Sequence, residues 1–536
     1  MPYHPSLPLS PELATHCNAF IEEKLYTQAL NLLLSTVQSG IIIPTSPIIT
    51  PPPSYLALAA TILVHPSTTA HALPLSDNEA ASAALRLLRL VHAVVGPRAA
   101  QFSLAFSFPI SKPPVKIAVN DSSPWTKPLG VDLCGSASVW SRAEDFWHAV
   151  GWAFNCSLLH PERWERWLLW IELMCDALDN DWMQCTLEFA EAEQSREKLR
   201  EVPNTPGTGL HGKKVNKRNE TFSNSIIFRY ISTTAARANI RRILRAIFAD
   251  GSEASVREFR EVFHQESRRI GHCSGSRKRE YRVNLDQSGF YDSVPERGMR
   301  EPSDAADPGH LRFPKRAKLR MVGSDSSCEA TDERMASLNH HSDLAVLGGH
   351  KSISLRLRLL GVLFMVSEQL SQEFIPLEEL DYHFVERVLH LPFLIFQAFI
   401  NLREYPKFSP MARISLYKVF LYQLRESRAP DPENGEEGHL PQADIERCFL
   451  PFAAATADVV DNAKMSILLE SLMLLLAGQD MLTSTPPLKE AVQAGIIARE
   501  KKTQNQADRA HEDLHSVGQC WLRESGTKLL LIVDLL

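Results

Sequence analysis

The stretch 161-PERWERWLLWIELMCDALDNDW-182 decides the fold class. Pro161 suits the first turn of a helix, where its missing amide costs nothing. Trp164, Trp167 and Trp170 step by three, so they drift slowly around a helix and share one broad face. Leu168, Leu169, Ile171 and Leu173 fill the positions between them, and the segment is apolar nearly all round. A helix of that kind buries itself against other helices. Aromatic density can also serve as a base-stacking platform or a partner-binding surface. With seven tryptophans between Trp140 and Trp182, the reading here is the core of an amino-terminal helical block. Asp176, Asp179 and Asp181, at the far end, read as a solvated face.

Helical patterns extend in both directions. Ser141-Arg-Ala-Glu144 has the form of a capping box opening the preceding helix. Further upstream, Ser10 can cap, Pro11 suits the first turn, and Leu25, Ala29, Leu32, Leu33 and Val37 recur at helical spacing up to Gly40. The run Tyr26-x-x-Ala29-Leu30-x-Leu32-Leu33 is similar to part of one tetratricopeptide-type helix, without a second copy at a fixed period. Prolines between Pro44 and Pro53 favour extended backbone. Helices are expected at 55–64 and 78–95, then an irregular stretch or short strand within 97–139. Downstream, helices are expected at 225–249, 252–269, 353–373, 377–402, 410–427, 442–455, 462–477 and 488–511.

The expected organisation is all-α: two helical blocks, bundle- or solenoid-like, separated by a long disordered basic insert. The divisions are an amino-terminal domain at 1–200, a basic linker at 201–224, a helical segment at 225–270, the insert at 271–350 and a carboxy-terminal domain at 351–536. In the insert the apolar pattern fades into Gly, Ser, Asp and Arg, too polar to offset its ordering entropy.

Charge sharpens this division. The net −6 of the 536-residue chain conceals thirteen Lys/Arg against seven Asp/Glu between Arg268 and Arg320, a net of +6 that leaves −12 elsewhere. Within it, Pro314-Lys315-Arg316-Ala-Lys318-Leu-Arg320 resembles a monopartite nuclear-import signal. Lys315, Arg316, Lys318 and Arg320 would sit in an acidic groove of an import receptor, so nuclear localisation is expected. A second basic feature is Arg237, Arg241 and Arg245, spaced by four opposite Ile240, Ile243, Leu244 and Ile247. This stripe could hold phosphates of DNA or RNA, or acidic groups of a protein partner.

Two strings carry enzyme-like patterns. His511-Glu-Asp-Leu-His515 is a literal H-E-x-x-H, whose histidines would share a helix face and bind zinc while the glutamate activates water. The extended metzincin pattern fails, because Trp521 stands where its third histidine belongs. Gly207-Thr-Gly-Leu-His-Gly212-Lys213-Lys214 matches G-x-G-x-x-G, yet no apolar strand precedes it and a polar basic run follows, so it reads as linker. Cys328, His340, His341 and His350 have spacings of no zinc module. The nine cysteines form no C-x-x-C pair and read as free thiols of a reducing compartment. The chain starts without a secretory pattern, and its longest apolar runs are too short to span a bilayer.

These features lead to one expectation: a non-enzymatic nuclear scaffold or adaptor subunit that binds other proteins through helical surfaces, with no cofactor and no membrane, in a process such as chromatin or genome maintenance. The alternatives are a largely non-sequence-specific DNA- or RNA-binding protein using the arginine stripe, and a zinc-dependent hydrolase at His511 and His515.

Overall fold

The computed structural model describes residues 3–42, 46–70, 75–108, 132–200, 222, 224–232, 236–267, 345–402, 407–432, 440–504 and 512–536, without the side chains of 75–78, 196–200, 236–238 and 512–517. The fold is mainly helical, as the periodicity predicts. All described residues belong to one compact unit, made of Met1–Arg268 and Leu338–Leu536. Most of the insert, including the import-like cluster, lies outside the described residues, as does the whole glycine-rich string.

Among the described residues the only strands are β1 (Ser6–Pro8) and β2 (Ile48–Thr50), paired in parallel with Ser6 opposite Ile48. Within the proline-rich stretch, residues 48–50 are therefore extended, as expected, while Pro44 lies outside the described residues. The first helical pattern divides into α1 (Pro11–Glu22) and α2 (Tyr26–Ile41), because Lys24 adopts a left-handed φ of 59° that no helix continues. Ser10 does cap α1, accepting from the Leu13 amide. Helix α4 (Leu75–Val94) packs against both α2 and α3 (Pro53–Val64). Short turns α5 (Phe102–Ala105) and α6 (Val139–Arg142) lead to α7 (Phe146–Leu159) and α8 (Pro161–Arg200).

The cap of α7 is displaced from the expected Ser141–Glu144 box. Asp145 is the N-cap and accepts from the His148 amide at 2.7 Å, while His148 Nδ1 accepts from the Glu144 amide at 3.1 Å. Aspartate followed by histidine supplies the reciprocal pair that serine and glutamate were expected to make.

The remaining helices are α9 (Ile226–Ile231), α10 (Ala236–Ile247), α11 (Glu253–Glu258), α12 (Gly349–Gln369), α13 (Leu377–Val388), α14 (Phe393–Ile400), α15 (Pro410–Leu424), α16 (Gln442–Cys448), α17 (Val459–Ala477), α18 (Pro486–Gln504) and α19 (Glu512–Leu535). Several are shorter than periodicity suggests, each for a local reason. Pro392 separates α13 from α14, and Pro451 disfavours helix at Leu450 after α16. After α11, the Glu261 and Glu266 carboxylates accept backbone amides of Glu266 and Phe263, at 3.1 and 3.2 Å, and compete with helical bonding.

The tryptophans are core. Trp147, Trp152, Trp167 and Trp170 are fully buried, Trp140 and Trp182 nearly so, and Trp164 is half-buried against Phe154. Trp140 donates to Ala57 O at 3.0 Å and Trp147 to Tyr230 O at 2.9 Å, so indoles tie α6 to α3 and α7 to α9. No helix among the described residues is long and apolar enough to cross a membrane.

Candidate functional site

The arginine stripe lies on α10, whose Ile240, Ile243, Leu244 and Ile247 are buried as expected. Arg241 is exposed. Arg245 is engaged: its Nε and Nη2 donate to the two carboxylate oxygens of Glu258 at 2.7 and 2.8 Å, and this pairing raises its pKa. An incoming phosphate would have to displace Glu258 from a bidentate pair. Arg237 starts the helix, with its side chain outside the described set. Arg242, not part of the four-residue spacing, donates to Asp145 and at 3.4 Å to Glu144, tying α10 to the cap of α7.

His511 lies outside the described residues, as does the side chain of His515, which falls in α19. Among the described residues no group of three or more His, Cys, Asp or Glu is arranged to hold a metal. Lys315, Arg316, Lys318 and Arg320 are likewise outside the described residues.

The charged groups that organise the molecule are ones the sequence assigns to a solvated face or does not single out. Asp176 and Asp179 on α8 are bound from across the chain rather than simply solvated. Arg358 of α12 donates to Asp176 Oδ1 at 2.7 Å and Asp179 Oδ2 at 2.8 Å, and Lys407 also pairs with Asp179. Asp181 is buried, accepts from the Ile226 amide at 2.7 Å and titrates at about 6 because of desolvation. A second cluster joins Arg163 and Glu266, both nearly inaccessible. Arg163 Nε and Trp167 Nε1 donate to the same Glu266 oxygen at 2.9 and 2.6 Å, and Arg163 also reaches Thr69 Oγ1 at 2.8 Å and the Val64 carbonyl. A third centre is Arg356, fully buried, which bonds the carbonyls of Ile247, Ala249 and Leu347. These centres hold α8, α10 and α12 in fixed register.

In the carboxy-terminal part, a cleft of about 200 Å³ opens between α14, α15, α17 and α19. Its polar lining comes from Gln397, Asn401, Glu470, Ser471, Ser525 and Lys528, with Trp521 and Tyr417 as aromatic walls. Burial raises the Glu470 pKa, although Lys528 Nζ stands 3.7 Å from its Oε1. Lys528 is held closer, at 2.8 Å, by the exposed Glu524. Sequence reading did not find this cleft, since its polar residues come from three helices that are far apart in the chain.

No known protein family, no curated protein and no solved structure matches the chain.

Proposed function

We infer that the chain is a non-enzymatic helical scaffold or adaptor that binds protein partners, with the nucleus as its compartment. The observation that carries this reading is α8. It is 40 residues long, about 60 Å at 1.5 Å per residue. Its first half is the tryptophan core, locked to α12 through Asp176 and Asp179. In the turns that follow, one face stays packed through Cys185 and Phe189 while the opposite face is open. Met183 and Leu187, one turn apart, are 51% and 56% exposed, and Glu188, Ala190, Glu191 and Ala192 are exposed after them. A rigidly anchored helix with neighbouring exposed apolar groups and a charged continuation is suited to receive another protein.

The test compares tagged wild-type chain with a Met183→Glu, Leu187→Glu variant, each purified from cells and analysed by mass spectrometry and light scattering. The expected result is a stoichiometric partner on the wild type that the variant loses while keeping its thermal melt. A wild-type chain recovered alone, at its 60.2 kDa monomer mass, would overturn the reading. Salt-sensitive DNA or RNA binding weakened by Arg241→Ala would favour the nucleic-acid alternative instead. Stoichiometric zinc lost on His511→Ala would favour the hydrolase.

A further inference from the structure

The cleft between α14, α15, α17 and α19 combines features that point to a ligand rather than to packing alone. Ser525 is 1% exposed, lines the cleft, and its hydroxyl makes no hydrogen bond of ordinary geometry, although it lies near enough to Glu470 to favour the carboxylate. Buried hydroxyls normally find a partner. Glu470 beside it is mostly removed from water and does not have its countercharge to itself. Two carboxylates, Glu470 and Glu524, face one ammonium, Lys528, and the shorter contact goes to the exposed Glu524. The third feature is a helix end: Gln397, Ile400 and Asn401 bring the carboxy-terminal turn of α14 to the cleft. That turn carries the negative end of the helix dipole. The indole of Trp521 supplies an aromatic wall.

One or two turns earlier on α17, the same chemistry is already satisfied from within the chain. Lys464 Nζ donates to the carbonyls of Leu389 and Leu391 at 2.6 and 3.1 Å, 5.2 Å from the Phe396 ring centroid. There an ammonium is held by oxygens and an aromatic face. The neighbouring cleft presents oxygens and an aromatic face around open volume.

We propose that this cleft binds a small organic primary ammonium ion, with the ammonium on Glu470 and Ser525 and its short carbon chain against Trp521. Lys528 then remains with Glu524 at the rim. A cleft of about 200 Å³ is below the usual range for drug-sized ligands, which restricts the occupant to a few heavy atoms. The inference is independent of the partner-binding role argued from α8.

The experiment is calorimetric titration of the full chain with ethylammonium chloride, against sodium acetate at equal ionic strength. Saturable ethylammonium binding is expected, with no acetate binding. Glu470→Gln should weaken it about tenfold or more, the scale of a lost charge-assisted hydrogen bond. Lys528→Met, at a half-exposed position, should leave the fold intact and strengthen binding by removing the competing ammonium. No ethylammonium binding by the wild type would overturn the proposal. So would binding untouched by Glu470→Gln, or acetate binding that Lys528→Met abolishes, since the latter defines an anion site.

Discussion

The guanidinium of Arg356 lies over the ring of Phe154, 4.0 Å from its centroid. One residue belongs to α12 and the other to α7, more than 200 positions earlier. Around that contact Arg356 Nη2 donates to Ala249 O at 2.9 Å, Nη1 bonds Ile247 O, and Nε reaches Ser352 Oγ at 3.2 Å. The carbonyls belong to the end of α10, where a helix leaves acceptors unpaired and favours positive charge. Burial pulls the Arg356 pKa down to about 9, which still leaves it charged at neutral pH.

Arg356→Ala should therefore strand several buried carbonyls at once. Urea denaturation is expected to report a loss of about 3 kcal/mol or more, from the cost of unsatisfied buried groups. Arg358→Ala is the control: its side chain is 26% exposed, solvent screens its pairs with Asp176 and Asp179, and a loss near 1 kcal/mol is expected.

Glu266→Gln addresses the Arg163 cluster. The single Glu266 oxygen that receives both Arg163 and Trp167 is fully enclosed. Neutralising it leaves the Arg163 charge buried without its partner, a change that costs about 3–5 kcal/mol in comparable buried pairs. A thermal melt that moves by less than the Arg358→Ala control would contradict this.

Asp381 sets a pH dependence. Its carboxyl is buried, Oδ2 accepts from Ser415 at 2.6 Å and Oδ1 has no hydrogen-bond partner. Desolvation, with Glu378 and Glu368 nearby, raises its pKa to about 7, and Glu379, Tyr382, His383, Glu386 and Arg387 are the other titratable groups of α13. The unfolded chain releases this proton near the ordinary 3.8. Its stabilising contribution is thus complete below about pH 4 and is lost as pH rises through 7. Asp381→Asn should flatten the stability profile between those values and be more stable than wild type above pH 7, as measured by melts in a buffer series.

Gly495 in α18 is required by a close approach. A Cβ there would stand 1.8 Å from the Leu450 carbonyl oxygen, a backbone atom already bonded by Arg499 Nη1 at 3.2 Å. Although alanine is the better helix former, Gly495→Ala should destabilise by about 2 kcal/mol or more, because the backbone must shift. An unchanged melting temperature would refute the close contact.

For the compartment, replacing Lys315, Arg316, Lys318 and Arg320 together by alanine should move a fluorescent fusion from the nucleus to the cytoplasm. An unaltered distribution would refute the import signal.

What the sequence determined by itself was the helical class and which faces are buried. Local spacing carries that information: Trp167 and Trp170 are core because a helix places them on an apolar side whatever their partners are. Proline and glycine also announced several breaks, although the exact ends depended on caps such as Asp145 and on side chains such as Glu261 that compete for amides. Tertiary structure alone decided the fate of the charges. Asp176 and Asp179 look like any solvated helix end until Arg358 arrives from 180 positions away, and the stripe residue Arg245 looks free until Glu258 folds against it. The same holds for Glu470, Ser525 and Trp521, which share a cleft only because α17 and α19 pack side by side. Hydrophobic periodicity is a local property of a chain. Ion pairing and cavity formation join distant residues, and only packing brings those together.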